Sequence, residues 1–130
     1  MSYKLFLDDY RIPNDTYKYT HKKMYLETDW IIVRSYDEFI KYIKNNGVPK
    51  IISFDHDLGD EHYKLHLNGN DINYDNYTEK TGYDCAKWLI NYILDEEKSP
   101  PQYIYIHSMN PAGSDNIKKI FENFYKHYYN

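Results

Sequence analysis

Cysteine, arginine and long apolar runs are what this 130-residue sequence has least of. Its one cysteine, Cys85, excludes an internal disulfide. The apolar runs all fall short of the roughly 20 residues that a transmembrane helix needs, which argues against a membrane partner. The N-terminus MSYKLFLDD also lacks the apolar segment of a secretory signal peptide. We therefore expect a cytoplasmic protein.

Acidic residues outnumber basic ones, 20 to 16. The formal net charge is −4, and Arg11 and Arg34 are the only arginines. A protein that binds duplex nucleic acid in general needs a clustered basic surface, so this class is excluded. An anionic ligand would have to be bound at one focused site. The length and the 42% hydrophobic content fit a single globular domain over residues 1–130, and the sequence carries no information on its oligomeric state.

Four short apolar segments are each followed directly by polar residues. They are YKLFL before Asp8, WIIV before Arg34, KIISF before Asp55 and YIYI before His107. Continuous apolar runs rich in β-branched and aromatic residues are typical of strands buried on both faces. We therefore predict a mainly parallel sheet of about four strands, covered by helices.

Three segments have the apolar period of helices. Ser35 is the predicted N-cap of the first, with Glu38 completing a capping box and Gly47 ending the helix. The second begins at Gly82, and the third has Ser114 as its predicted N-cap. Alternating strands and helices predict an α/β sandwich.

Two stretches lack that pattern. Residues 11–29 show no helical period, so we expect the usual first helix to be missing and residues 16–21 to form a loop or an edge strand. Residues from about 60 to 80 form a polar insertion in which Asn68-Gly69 is a type I′ hairpin signal. His62 and His66 have a spacing that suits zinc on a helix, but with no third ligand we favour a solvated loop.

The polar residues that follow the strands should meet at one edge of the sheet, where ligands bind in open parallel sheets. They are Asp8, Asp9 and Arg11 after the first strand, Arg34 after the second, Asp55, His56 and Asp57 after the third, and His107, Ser108 and Asn110 after the fourth.

These residue types suit phosphate chemistry with a metal. Clustered carboxylates favour a hard cation, so Asp8, Asp9 and Asp55 are the predicted ligands of Mg²⁺ or Mn²⁺. Asp57 is a fourth candidate ligand, with capping of the turn before Gly59 as the alternative. His56 is a candidate proton carrier, with a structural histidine as the alternative.

The remaining candidates would transfer protons or bind phosphate. His107 is likewise a candidate proton carrier, with a structural histidine as the alternative. Arg11 and Arg34 suit bidentate phosphate binding, although Arg34 has pairing with Asp37 as an alternative. We expect Ser108 and Asn110 to bind phosphate oxygens, together with Gly113 and a helix N-terminus at residues 114–116.

The motifs LFLDDYRIP, SFDHDLG, TGYDCAKWL and HSMNPAG resemble those of cyclic-phosphate processing receiver domains, a divergent group of response-regulator receiver domains. The resemblance implies a receiver-like (flavodoxin-like) three-layer α/β sandwich with an Asp-based Mg²⁺ site. It matches Asp8 and Asp9 to the acidic pair of receivers, Asp55 to their phospho-acceptor and Ser108 to their hydroxyl residue. After HSMNP one predicted helix completes the chain, so we expect the fifth strand and its Lys-Pro motif to be absent.

Three hypotheses follow for the function. The first is a metal-assisted phosphoesterase that acts on a cyclic phosphate or a related small nucleotide or RNA end. The second is a binding module that sequesters a nucleotide signal without cleaving it. The third is a phospho-acceptor domain, against which the missing lysine counts.

Overall fold

Four parallel strands form the centre of the molecule. The structure is a computed structural model, which describes residues 2–58 and 80–129. In that part of the chain β1 is Lys4–Leu7, β2 is Trp30–Val33, β3 is Ile51–Phe54 and β4 is Tyr103–Ile106. They form one sheet in the order β2-β1-β3-β4. The predicted four-stranded parallel sheet is thus confirmed, whereas the hairpin and the zinc alternative predicted for residues 60–80 lie outside the described residues.

The strand ends are aligned across the sheet. Leu7 pairs with Val33 on one side and with Phe54 on the other, and Phe54 pairs with Ile106. Backbone hydrogen bonds continue for one more residue, because the amides of residues 8, 55 and 107 donate to carbonyls at the ends of neighbouring strands. The residues directly after the strands therefore form one row at the carboxyl edge of the sheet.

Helices cover both faces of the sheet. The helices are α1 at Pro13–Thr20, α2 at Tyr36–Asn46, α3 at Gly82–Asp95 and α4 at Pro111–Tyr128, with a short 3-10 helix at Lys23–Leu26.

The main core lies between one sheet face and helices α2, α3 and α4. A smaller core around Phe6, Tyr25 and Trp30 lies on the other face, under α1 and the 3-10 helix. These three layers are the α/β sandwich that the sequence predicts.

The expectation that the first helix is missing is wrong. Helix α1 occupies Pro13–Thr20, including most of the stretch expected to be a loop or an edge strand. Pro13 at the first helical position needs no N–H partner, and the Asp15 carboxylate accepts a hydrogen bond from the Ile12 amide. Its buried positions are Pro13 and Thr16. Because neither is a large apolar residue, the helical period was not visible in the sequence.

The predicted start of the last helix is also wrong. The helix begins at Pro111, and Asn110 rather than Ser114 is its N-cap, accepting a hydrogen bond from the Gly113 amide at 3.0 Å. Proline is tolerated in the first turn because its missing N–H would have no helical partner there. The helix N-terminus predicted at residues 114–116 therefore lies one turn earlier.

Helix α2 is confirmed at both ends, but its capping box is not. Ser35 accepts a hydrogen bond from the Glu38 amide, while the Glu38 carboxylate accepts from the Arg34 amide instead of returning to Ser35. Gly47 ends the helix with a φ of 90°, a left-handed value that favours glycine. Among the described helices, none is long and apolar enough to span a bilayer.

Candidate functional site

Two buried carboxylates lie at the centre of the carboxyl edge. Asp8 follows β1 and is fully buried, and Asp55 follows the adjacent β3 and is 3% exposed. Asp8 Oδ1 accepts hydrogen bonds from the amides of Tyr10 and Arg11 at 3.0 and 2.8 Å. Asp55 Oδ1 accepts one from the His56 amide at 2.9 Å. The tight turns after the strands thus hold both carboxylates in place.

The two carboxylates have opposite pKa shifts. Burial pushes the pKa of Asp8 upward, but hydrogen bonds from His107 and from the amides after β1 outweigh burial and lower the pKa to about 2. For Asp55, burial and then the charge of Asp8 raise the pKa to about 7. Asp8 is therefore the permanent negative charge of the site, and Asp55 becomes ionised near neutral pH.

His107 lies behind this pair and is 1% exposed. Its Nε2 is 3.0 Å from Asp8 Oδ2, and its Nδ1 is 2.7 Å from Ser53 Oγ. The ring stacks on Phe6 with centroids 4.4 Å apart, and the Tyr19 hydroxyl donates to the His107 carbonyl at 2.6 Å. Burial lowers the pKa of His107, although Asp8 opposes that effect. Both ring nitrogens are bonded inside the protein.

A divalent cation fits this group of residues. Asp8, Asp55 and His107 each offer one ligand atom, and the three atoms lie within 4.8 Å of one another. Carboxylate oxygens such as those of Asp8 and Asp55 suit Mg²⁺ and Mn²⁺. The raised pKa of Asp55 has the same physical origin, since two buried carboxylates repel unless a cation or a proton neutralises them.

A cavity of about 340 Å³ opens in front of the carboxylates. Six predicted site residues line it, together with two that the sequence did not indicate, Tyr10 and Met109. The six are Asp9, Arg11, Asp55, Asp57, Ser108 and Asn110. The polar residues after β1, β3 and β4 are therefore brought together, as expected from the topology.

Arg11 forms a wall of this cavity. Its guanidinium lies 3.5 Å from Asp8 Oδ2 and stacks over the rings of Tyr10 and Tyr19, with centroid distances of 4.8 and 5.5 Å. A second guanidinium nitrogen donates to the sulfur of Met109 at 3.3 Å. These contacts hold one cation beside the carboxylates, with 17% of its side chain exposed.

Arg34 has a different place. Its guanidinium donates to the backbone carbonyls of Asp8 and Arg11, so it braces the loop between β1 and α1. Arg34 is not among the residues that line the cavity. Arg34 thus stabilises the loop that carries Asp8 and Arg11 without lining the cavity itself.

His56 follows β3 and packs against the first turn of α4. Its Nδ1 is 2.9 Å from Asp57 Oδ1, and the Asn110 amide group donates to the same carboxylate at 3.3 Å. Gly113 packs directly on the imidazole, because a Cβ there would lie 2.3 Å from a ring carbon. The Gly113 amide donates to the Asn110 side chain, so Gly113 contributes a close packing contact beside the site.

Ser108 completes the loop after β4. Its hydroxyl accepts a hydrogen bond from the Asn110 amide at 3.1 Å, and its carbonyl accepts one from the Ser114 hydroxyl at 3.2 Å. The loop between β4 and α4 is thereby held against the cavity. Asp57, whose side chain is 64% exposed, lies at the mouth of the cavity.

The sequence did not indicate the residues that surround His107. Ser53 is a fully buried polar residue inside β3, and its hydroxyl is 2.6 Å from that of Tyr25. Ser53 interrupts the otherwise apolar segment IISF, which was a usable signal because buried hydroxyls require hydrogen-bond partners. Tyr25 and Tyr19 carried no such signal among 17 tyrosines.

A family model described as the cyclic-phosphate processing receiver domain matches residues 3–123, which is most of the chain. No curated protein and no solved structure matches. The matched range includes all four strands and the whole carboxyl edge described above. The chain therefore belongs to the cyclic-phosphate processing receiver domain family.

Proposed function

We propose that this protein is a metal-assisted phosphoesterase that acts on a cyclic phosphate of a small nucleotide or an RNA end. The observation that carries the proposal is the position of Asp8 and Asp55, which lie buried on adjacent central strands beside a cavity that Arg11 lines. Negative charge to hold a cation and positive charge to hold a phosphate thus lie side by side. The family match supports the substrate class.

Asp8 and Asp55 would hold Mg²⁺ or Mn²⁺, with Asp9 and Asp57 lining the same cavity as further carboxylates. When bound, such a cation polarises a phosphoryl oxygen and lowers the pKa of a bound water. Backbone amides of the protein already hold the carboxylates of Asp8 and Asp55 in place, so that little reorganisation is needed when the cation binds.

The phosphate would be bound by groups from two loops. Arg11 offers a planar fork of N–H donors that matches two phosphate oxygens. Ser108 and Asn110 offer a hydroxyl and an amide from the opposite loop. A cavity of about 340 Å³ is at the small end of the range for ligand pockets, which suits a nucleotide or a chain end.

Proton transfer would involve His56 and Asp57. The hydrogen bond between His56 Nδ1 and Asp57 orients the imidazole, and Asp57 lines the cavity. Imidazole is the commonest proton-transfer group of enzymes, and a carboxylate partner fixes its orientation. His107, which was predicted to share this task, has both ring nitrogens bonded within the protein and is left out of this proposal.

The test is hydrolysis of a panel of 2′,3′-cyclic mononucleotides and cyclic oligonucleotides with Mg²⁺, Mn²⁺ or EDTA. We expect metal-dependent turnover that falls at least 100-fold in Asp55→Asn and in Arg11→Met. Asp37→Asn is the matched control, because Asp37 is an exposed carboxylate on α2, away from the cavity.

Two other results would replace the proposal. If a compound binds tightly and is recovered intact, the protein is a nucleotide-binding module. If acetyl phosphate instead adds the mass of a phosphoryl group to the wild type but not to Asp55→Asn, the protein is a phospho-acceptor.

A further inference from the structure

A buried chain of hydrogen bonds leads from the second face of the sheet to Asp8. The Tyr25 hydroxyl is 2.6 Å from Ser53 Oγ, Ser53 Oγ is 2.7 Å from His107 Nδ1, and His107 Nε2 is 3.0 Å from Asp8 Oδ2. All four side chains are at most 2% exposed. The chain links the 3-10 helix, β3 and the residues that follow β4 and β1.

The direction of each bond follows from counting protons. The partner found for the Tyr25 hydroxyl is Ser53, so the Tyr25 proton is donated to Ser53 Oγ. Ser53 must then donate its own proton to His107 Nδ1, which makes Nδ1 the unprotonated nitrogen. The ring proton is on Nε2, where the Asp8 carboxylate accepts it. In this arrangement every buried proton has an acceptor, as buried polar groups require.

The opposite direction leaves a group unsatisfied. If His107 Nδ1 carried the proton, it would donate to Ser53, and Ser53 would donate to Tyr25. The Tyr25 proton would then have no acceptor among the contacts of the described residues, which is unfavourable for a buried donor. Burial raises the pKa of Tyr25 to about 12, so the phenol keeps its proton at neutral pH.

We propose that Tyr25, Ser53 and His107 are positioning residues for Asp8, and that His107 is neither a metal ligand nor a proton carrier. The chain of hydrogen bonds fixes the His107 tautomer, and the Nε2–H group of His107 fixes the position of Asp8 Oδ2. A histidine that donates to a ligand carboxylate orients it and tunes its affinity for the ion. The proposal rests on the proposed function only in taking Asp8 as a cation ligand.

The stacking of His107 on Phe6 supports this role. The rings are nearly parallel, at 4°, with centroids 4.4 Å apart, and the Tyr25 ring meets the imidazole edge-on at 6.2 Å. An imidazole held between two aromatic rings in a packed core has one orientation. That rigidity suits a positioning residue, whereas a proton carrier has to exchange protons with solvent or substrate.

The first test is NMR of protein labelled with ¹⁵N at the histidine rings, at pH 7.5, in EDTA and then with saturating Mg²⁺. The His107 signals are assigned by their loss in His107→Gln. We expect a protonated Nε2 and an unprotonated Nδ1 in both conditions. A proton on Nδ1, or an Nε2 that loses its proton when Mg²⁺ is added, overturns the proposal.

The second test is the affinity for Mn²⁺, measured by titration calorimetry. Tyr25→Phe keeps the ring and removes the hydroxyl, and Ser53→Ala removes the middle link. We expect each to weaken Mn²⁺ binding about 10-fold, as loss of such supporting contacts usually does. Ser53→Thr, which keeps a hydroxyl, should restore binding to within about 3-fold.

Tyr3→Phe is the matched control, because Tyr3 also donates a partly buried hydroxyl, to the Gly47 carbonyl at the other end of the sheet. It should lose stability without losing Mn²⁺ affinity. Unchanged affinity in both Tyr25→Phe and Ser53→Ala overturns the proposal. If the wild type binds no Mn²⁺, the proposed function fails, but the tautomer of His107 still tests the direction of the chain.

Discussion

Replacing Asp55 by asparagine should stabilise the metal-free protein, and more so at higher pH. Asp55 is 3% exposed, and burial together with Asp8 raises its pKa to about 7 from the ordinary 3.8. A carboxyl whose pKa is raised on folding favours the folded state below the unfolded pKa, and that benefit is lost as the pH rises through the folded pKa. Ionised Asp55 is therefore a cost of folding, which asparagine avoids.

The magnitude follows from the two pKa values. Each pH unit between them corresponds to about 1.4 kcal/mol. Between 3.8 and about 7, the full cost of ionised Asp55 is about 4 kcal/mol, reached near pH 8. At pH 5 the side chain is still protonated in the folded state, and the cost is about 2 kcal/mol. The two pH units from 5 to the folded pKa of about 7 each add about 1.4 kcal/mol, so the advantage of Asp55→Asn should grow by about 3 kcal/mol between pH 5 and pH 8.

The assay is urea unfolding in EDTA at both pH values, with Asp37→Asn as the control. Asp37 is an exposed carboxylate on α2 that does not line the cavity. The control should have the pH dependence of the wild type. An advantage of Asp55→Asn that stays constant from pH 5 to pH 8 would refute the reasoning about burial. Adding Mn²⁺ at pH 8 should stabilise the wild type more than the variant, because the cation neutralises the buried charge.

Three further changes test the surroundings of the site. Gly113→Ala places a Cβ 2.3 Å from the His56 ring, so we expect a loss of about 1–3 kcal/mol in urea unfolding. Arg34→Met removes the donor to two loop carbonyls and should speed amide hydrogen exchange at Tyr10 and Arg11, with little change in exchange within β4. Arg11→Lys keeps the charge but loses the planar fork, and should reduce kcat/KM at least 10-fold in the hydrolysis assay.

The sheet could be predicted because its signal is local. Each strand is a short apolar run with a polar residue directly after it, a composition typical of strands covered by helices on both faces. The central strands β1 and β3 are largely buried, whereas the edge strand β4 is only partly buried. Helix α1 could not be predicted in the same way. Its inward positions include Pro13 and Thr16, and its start depends on a contact between Asp15 and the Ile12 amide, so no apolar stripe marks it.

The composition of the site could be predicted, but not the role of each member. Arg11 and Arg34 are the same residue type and both follow strands, so composition alone treats them alike. Their difference arises from the neighbouring loop, because the guanidinium of Arg34 is engaged by backbone carbonyls while Arg11 faces the cavity. Such contacts depend on the path of the loop between β1 and α1, which residue type and periodicity alone do not specify.

The two site histidines differ for a reason that strand geometry explains. Side chains alternate between the faces of a sheet, and the backbone ladder continues as far as residue 107. His107 is therefore in one row with Asp8 and Asp55, two residues beyond the row that contains Phe6 and Ser53, and on the same face of the sheet.

His56 is one residue further along its strand than that row and lies on the opposite side, against Gly113 of α4. One histidine is thus enclosed in the small core with a serine and a tyrosine as partners, and the other is placed beside the mouth of the cavity. Position within the two-residue alternation, rather than the residue type, therefore decides that one histidine contacts the buried Asp8 carboxylate and the other the exposed Asp57 carboxylate.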